Sequence, residues 1–459
     1  MKNITEEIFR AYDIRGVVET ALTPEAVRKI GQAFASEALR QKQNTVVIGR
    51  DGRLSSPMLS EALSEGLRAG GCDVVDVGMV PTPVLYYATH KFKTGTGIMV
   101  TGSHNPPQYN GLKMLIASNT MYGDGIKALY TRIVDNDLAS GAGNYETRDI
   151  VPEYINTIVS DIKLARPLRV AVDCGNGVAG AIGPELFRKL GCEVTELFCE
   201  VDGNFPNHHP DPSKPENLED IKKVIAAEKL DLGLAFDGDG DRVGIIDDQQ
   251  KIIWADRQMM LYAADVLSRK PGAQIIFDVK SSSNLGKEIA RLGGEPLMWK
   301  TGHSFIKAKM KQTGAELAGE MSGHVFFKER WFGFDDGLYS AARMLEIISK
   351  RSEAASVVFA ELPDSFNTPE LQIHFEQDGA HYTFMDKFKQ SADFGKADVI
   401  TIDGMRVNFA DGWGLIRPSN TTPSLVLRFE ANNQKTLDEI QAKFKHELLK
   451  LDSKIKLPF

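Results

Sequence analysis

Asp237, Asp239 and Asp241 stand at every second position of a loop, with Gly238 and Gly240 between them and apolar runs, Leu232–Phe236 and Val243–Ile246, on either side. Glycine lets the backbone curl so that the three carboxylates can converge on one point. Converged and unneutralised they would repel one another, and a divalent cation between them removes the repulsion. An EF-hand loop also begins Asp-x-Asp-x-Asp, but it requires Gly at its sixth position and Glu at its twelfth, where this chain has Arg242 and Asp248. So few protein ligands favour Mg²⁺ completed by phosphate oxygens, with the metal offsetting charge on a transferring phosphoryl group. A solvated acidic turn is the plain alternative.

Ser103 sits in Thr101-Gly102-Ser103-His104-Asn105-Pro106, directly after the apolar run Gly97–Val100. The end of a strand is where α/β sheets place ligands. A serine-hydrolase elbow needs Gly two positions after the serine, and Asn105 is there instead, so acyl transfer loses its support. Ser103 is then either a phosphoryl carrier or a serine that favours a turn. In Gly319-Glu320-Met321-Ser322-Gly323-His324 a carboxylate, a hydroxyl and an imidazole alternate and would point to one side of an extended segment. Glu320 and Ser322 could take sugar hydroxyls and His324 could move a proton, although a polar hairpin reads the same way. Arg417-Pro418-Ser419-Asn420-Thr421-Thr422-Pro423 offers a guanidinium, hydroxyls and backbone N–H groups for a phosphate monoester, or is a plain turn before a strand. Gly175-Asn176-Gly177-Val178-Ala179-Gly180 fits Gly-x-Gly-x-x-Gly, which keeps an NAD-type dehydrogenase in view.

The elements that must position these groups recur. Val46–Asp51, Arg169–Asp173 and Gln274–Asp278 each read as an apolar strand leading into a helix, a Gly-rich stop and a further strand. The stops are Ala69-Gly70-Gly71, Leu190-Gly191 and Leu292-Gly293-Gly294, where glycine supplies the left-handed C-cap. Strands without polar alternation are buried on both faces, which predicts parallel sheets between helix layers. Neither other copy keeps the Gly-x-Gly-x-x-Gly pattern, so that match points to shared architecture over a dinucleotide. Linkers are expected near Gly141–Asn144, Trp254–Asp256 and Leu362–Ser365. Beyond the last, a strand at Ser424–Glu430 and a helix near Leu437–Leu449 predict a smaller α+β domain.

At 459 residues the chain is long enough for three or four domains. Its 42% hydrophobic and 25% charged residues are those of a globular protein. A net charge of −8 without any basic block argues against nucleic acid as a partner. The absence of a long apolar run argues against a membrane and for the cytoplasm, where Cys72, Cys174, Cys192 and Cys199 would be reduced thiols.

Together with Arg10-Ala11-Tyr12-Asp13-Ile14-Arg15-Gly16, these segments occur in one order along almost the whole chain, and the sequence resembles the α-D-phosphohexomutase family, most closely its bacterial phosphomannomutase/phosphoglucomutase branch. The resemblance implies four domains around a central cleft, three related α/β domains and a smaller α+β one, here placed at 1–148, 149–254, 255–365 and 366–459. It implies reversible interconversion of hexose 1- and 6-phosphates, of mannose and glucose, through a phosphoserine and a hexose 1,6-bisphosphate that also serves as activator. By resemblance Ser103 carries the phosphoryl group and, with Asp237, Asp239 and Asp241, holds Mg²⁺. Arg15, Lys113, Arg242, Lys280, His303 and His324 match positions that contact the reacting phosphoryl group or move protons, with Lys113 and His324 the acid/base candidates. Tyr12, Glu320 and Ser322 fall among the substrate contacts, and Arg417, Ser419, Asn420 and Thr421 look like a clamp on the distal phosphate. Met321, where the glucosamine branch usually carries Gln, favours mannose and glucose; a phosphoglucosamine mutase is the alternative within the family, and a non-catalytic sugar-phosphate binder lies outside it. A monomer acting on small sugar phosphates is expected.

Overall fold

The computed structural model describes residues 4–377, 379–420 and 422–459. Three of its four sheets share one wiring. In the first, Asp73–Met79, Thr45–Arg50 and Gly97–Val100 run parallel and Tyr109–Ile116 closes the set antiparallel. The second repeats this with Glu193–Leu197, Arg169–Asp173, Leu232–Phe236 and the antiparallel Val243–Asp247. The third repeats it with Glu295–Trp299, Gln274–Asp278, Leu317–Gly319 and the antiparallel Val325–Phe327.

The repeated strand-helix-strand units lie where the sequence puts them, with helices Ser56–Ala69, Gly183–Lys189 and Ser283–Arg291 as their crossovers. The sheets are nevertheless mixed and not purely parallel. A parallel partner needs a crossover of a dozen or more residues, whereas the short polar loops after Val100, Phe236 and Gly319 permit only a hairpin. Those three hairpin loops therefore occupy equivalent places, each at the C-terminal end of the third parallel strand. They contain Ser103, the three aspartates and Glu320, so one architectural position supplies three different chemistries to one cleft.

The segment Gly141–Asn144, expected as a linker, runs along the first sheet and feeds the edge strand Tyr145–Thr147. A Cβ on Gly143 would lie 1.8 Å from the Cys72 carbonyl oxygen, so only glycine lets the two backbones approach this closely.

The fourth sheet is antiparallel, built mainly from Leu371–His374, Ser424–Ala431, Gly412–Pro418, Met405–Phe409 and Asp398–Ile400, and helices Ala380–Ser391 and Gln434–Leu451 pack against it. One apolar cluster runs through the first three sheets, joining residues such as Val47, Phe236 and Ile275, while the fourth has a core of its own around Phe388, Phe429 and Phe444. Its attachment to the third combines an apolar patch, Val279 against Trp413 and Leu415, with polar contacts: Arg406, its guanidinium 3.7 Å over the Trp413 ring of its own sheet, donates to the carbonyls of Val279 (2.6 Å) and Ser281 (2.8 Å).

Candidate active site

Ser103 takes a left-handed backbone (φ 49°), which a residue other than glycine adopts at a cost. Arg53 holds it there. This buried guanidinium donates to the carbonyls of Ser103 (2.7 Å), Asn105 (2.6 Å), Pro106 (2.7 Å) and Tyr109 (3.0 Å), and Asp51 pairs with it at 3.2 Å. The planar five-donor fork of arginine suits this collection of carbonyls. Ser103 Oγ then lies 3.2 Å from Asp237 Oδ2 and 3.1 Å from His104 Nδ1. Gly238 permits the contact between the two loops, because a Cβ there would lie 2.3 Å from the Ser103 carbonyl oxygen.

Asp237, Asp239 and Asp241 are fully buried, each offering one oxygen within 4.8 Å of the others. Asp239 Oδ1 and Asp241 Oδ1 have no hydrogen-bond partner among the described residues, and buried carboxylate oxygens are seldom left so. Lys113 Nζ bonds Asp239 Oδ2 at 2.7 Å and Asp241 Oδ2 at 2.5 Å. Burial would discharge that lysine, but the two carboxylates hold its pKa well above the ordinary value, so it remains an ammonium. Burial, with Asp241 and Asp239 nearby, pushes Asp237 well above the carboxylate range. The trio thus carries more negative charge than Lys113 and Arg242 relieve, and its orphaned oxygens and all-oxygen donors fit a small, hard divalent cation.

Arg242 bridges the three-aspartate loop and the Glu320–His324 loop. Its Nε donates to His324 Nε2 at 3.0 Å and lies 3.6 Å from Asp237 Oδ2, and its backbone pairs with that of His324. With Nε2 accepting, the imidazole proton sits on Nδ1, which faces Asp335 Oδ2 at 3.1 Å. Asp335 is buried and also accepts from Lys307 Nζ at 2.8 Å; the His303 ring lies beside His324, with centroids 5.5 Å apart. Arg15 pairs with Asp13 (2.6 Å) and donates to Asn105 Oδ1 of the serine loop (2.7 Å).

Towards the fourth sheet, Glu320 accepts from the Gly302 N–H, and burial raises it to about 6. Ser322 stands beside it on the loop and lines the cleft. Tyr12 donates to the Thr301 carbonyl (3.0 Å) and meets Asn420. Arg417 Nε is held by Asp403 at 3.0 Å, while its Nη2, buried, has no partner among the described residues. Ser419 Oγ accepts from the Thr422 N–H at 3.2 Å. Thr421 lies outside the described residues. Lys280 pairs with Glu370 at 2.6 Å and feels the Arg417 charge, so it belongs with this distal group, away from the partners of Ser103.

A cavity of about 660 Å³ connects both groups: Ser103, Arg15, Lys113, Arg242, His303 and His324 line one part of it, Glu320 and Ser322 the loop between, and Tyr12, Lys280, Arg417, Ser419 and Asn420 the other part. The aspartates lie under its floor. Four separate chain regions feed it. The models of the phosphoglucomutase/phosphomannomutase family match this chain over all four of their parts: α/β/α domain I at residues 6–139, domain II at 152–250, domain III at 254–366 and the C-terminal domain at 370–447. The chain belongs to this family. The phosphomannomutase/phosphoglucomutase of Pseudomonas aeruginosa is 55% identical over 98% of this chain and 97% of its own length. A phosphoglucomutase of Neisseria gonorrhoeae is 53% identical over 97% of each. A crystal structure of a phosphoglucomutase/phosphomannomutase family protein from Burkholderia thailandensis, 52% identical, superposes over the full length of both chains with a TM-score of 0.94.

The family assignment agrees with the geometry of the Gly-x-Gly-x-x-Gly segment. A Cβ on Gly177 would lie 3.0 Å from Gly238, one on Gly180 would lie 2.0 Å from the Cys199 carbonyl oxygen, and only a short 3-10 turn, Val178–Ala181, follows. Gly177 packs on the three-aspartate loop and Gly180 on the strand-end Cys199, so both close approaches are taken by the protein's own backbone where a dinucleotide would need them open. Sequence reading misses Arg53 and Asp335. The Arg-Asp proximity in Asp51-Gly52-Arg53 was the one local sign of the first, and nothing near Asp335 distinguishes it from the helix-capping Asp336 beside it. Among the described residues no helix is long and apolar enough to cross a membrane.

Proposed function

We propose that the chain interconverts hexose 1-phosphates and hexose 6-phosphates of glucose and mannose, with phospho-Ser103 as the phosphoryl carrier. The carrying observation is the convergence of Ser103 Oγ with the three buried carboxylates at one end of a cavity whose other end holds Arg417 Nη2, which has no partner among the described residues. The spare guanidinium suits the phosphate that stays, and the charged floor suits the one that moves.

In the forward half-reaction the free O1 or O6 of the bound sugar phosphate attacks the phosphorus of phospho-Ser103. The P–Oγ bond breaks, a P–O bond to the sugar forms, and a hexose 1,6-bisphosphate results. The attacking hydroxyl loses its proton as the new P–O bond forms and Ser103 Oγ takes one up as the P–Oγ bond breaks, so no net proton is released. His324 is the candidate acceptor once its Nε2 exchanges the Arg242 Nε–H for the substrate hydroxyl, and His104 Nδ1, 3.1 Å from Ser103 Oγ, is the nearest ring nitrogen on the serine side. Lys113, bonded to Asp239 and Asp241, offers an ammonium donor beside the transferring group. Asp237, Asp239 and Asp241 would hold Mg²⁺ together with the Ser103 phosphate, and the ion would supply charge neutralisation at the transferring group. The bisphosphate then reorients, and Glu320 and Ser322 meet the sugar hydroxyls in either orientation before the second phosphate returns to Ser103.

This reading includes a cytoplasmic monomer with the sugar 1,6-bisphosphate as activator. A coupled assay on the 1-phosphates of glucose, mannose and glucosamine, with glucose 1,6-bisphosphate present, tests it. Turnover of glucose and mannose phosphates above glucosamine phosphate is expected. Preference for glucosamine phosphate would move the chain to the other branch, and binding without turnover would leave a sugar-phosphate receptor.

A further inference from the structure

A second cavity, of about 560 Å³, opens between domain I and domain III and shares no lining residue with the active-site cleft. The two are neighbours along one helix, His303–Thr313: its first residue lines the cleft, and Lys307, Ala308 and Lys311 line the second cavity. The volume lies within the range that holds a drug-sized ligand.

Its electrostatics differ from those of the molecule as a whole. The chain carries a net charge of −8, yet no Asp or Glu lines this cavity, while Lys307, Lys311, Lys328 and His90 do. Lys307 is neutralised by Asp335. The other two lysines are not: Lys311 Nζ bonds only neutral oxygens, Asn119 Oδ1 at 2.7 Å and the Ser118 carbonyl at 3.4 Å, and Lys328 Nζ bonds the Gly314 carbonyl at 3.0 Å. Two ammonium groups with spare donors thus face one space.

The remaining wall is aromatic. Phe332 and Phe334 have parallel rings (interplanar angle 2°), Phe334 being buried against Tyr86, whose ring lies under Lys307 Nζ at 4.3 Å; Phe332 and Tyr122, exposed by 38% and 36%, are the open aromatic surfaces on the two sides. Flat apolar faces of this kind accept an aromatic ring by stacking. The sugar-binding cleft offers Glu320 to hydroxyl groups, and this cavity has no carboxylate to play that part, so a sugar phosphate is the poorer fit. A bare phosphate would leave the aromatic wall unused.

We propose that this cavity is a second ligand site, for a nucleoside phosphate whose base stacks on the aromatic wall and whose phosphate takes Lys311 and Lys328. Adenosine monophosphate is the probe, titrated calorimetrically into the full-length enzyme with the cleft saturated by glucose 6-phosphate. One molecule should bind per chain. Ribose 5-phosphate, which lacks the base, should bind at least about tenfold more weakly. The double variant Lys311→Met/Lys328→Met should weaken adenosine monophosphate at least about tenfold and keep its mutase kcat/KM within about twofold of the parent. Ala308→Trp, which fills the cavity and keeps both lysines, should also abolish binding and guards against a loosened domain seam in the double variant. The proposal is overturned if adenosine monophosphate gives no binding heat up to millimolar concentration, if glucose 6-phosphate displaces it, if ribose 5-phosphate binds equally well, or if both variants bind it like the parent.

Discussion

The two ends of the active-site cleft are built differently. At the end holding Ser103, three domains share one apolar core, and the groups that face the reaction are almost wholly out of water: Asp237, Asp239 and Asp241 at 0% exposure, Lys113 at 3% and His324 at 4%. At the end holding Arg417, domain IV has a core of its own and meets domain III through a small apolar patch, Val279 with Trp413 and Leu415, and through arginine contacts to backbone carbonyls. Buried, fixed dipoles are worth most where charge develops in the transition state. On the mechanism proposed above, the Arg417 end must take a C1 phosphate in one half-reaction and a C6 phosphate in the next and gains from an attachment that can adjust. From this difference we propose turnover at the first end and substrate retention at the second.

Substitutions at the two ends should accordingly separate kcat from KM. Ser103→Ala has the largest expected effect, a loss of mutase activity of about 10⁴-fold or more, because it removes the carrier outright. Near-parental activity in the coupled assay with added glucose 1,6-bisphosphate would break the assignment. Asp335→Asn comes next. It should lower kcat by about 10²-fold with little change in KM, since the amide no longer fixes the His324 tautomer. A lowered Tm with intact kcat would make Asp335 a structural anchor only.

At the other end, Arg417→Ala should raise KM for glucose 1-phosphate by roughly 10- to 150-fold, the equivalent of a charged hydrogen bond of about 1.5–3 kcal/mol, and leave kcat within a few-fold. A fall in kcat as large as that of Asp335→Asn would erase the division between the ends.

The smallest effect concerns pH. Burial raises Glu320 from its ordinary 4.5 to about 6, so the fold favours the protonated acid; that stabilisation is full below 4.5 and is lost as pH rises through 6. Sugar hydroxyls need the ionised acceptor, so KM should rise as pH falls below 6. Glu320→Gln should remove that limb of the KM profile; a profile like the parent's would release Glu320 from the sugar.

The metal loop is legible in the sequence because its logic is local: alternating Asp and Gly between two apolar strands need no distant partner to be read. The repeated strand-helix-strand units are legible for the same reason. Ser103 is not, since its loop reads as a turn until Arg53, fifty residues earlier, and Asp237, far later, are seen around it. Nor is the equivalence of the three hairpin loops, because they share a position in the sheet and no sequence. Lys280 needs the structure to be placed: the sequence offers it as a substrate contact, and its partner Glu370, 90 residues later, sets it at the distal part of the cleft.

The most direct test of the phosphoserine follows the phosphoryl group itself. Enzyme incubated with ³²P-labelled glucose 1,6-bisphosphate, then digested and sequenced by mass spectrometry, should carry the label on Ser103. Unlabelled glucose 6-phosphate should chase it off at a rate no slower than kcat. Label on any other residue, or label on Ser103 that leaves more slowly than the enzyme turns over, would contradict a carrier role for this serine.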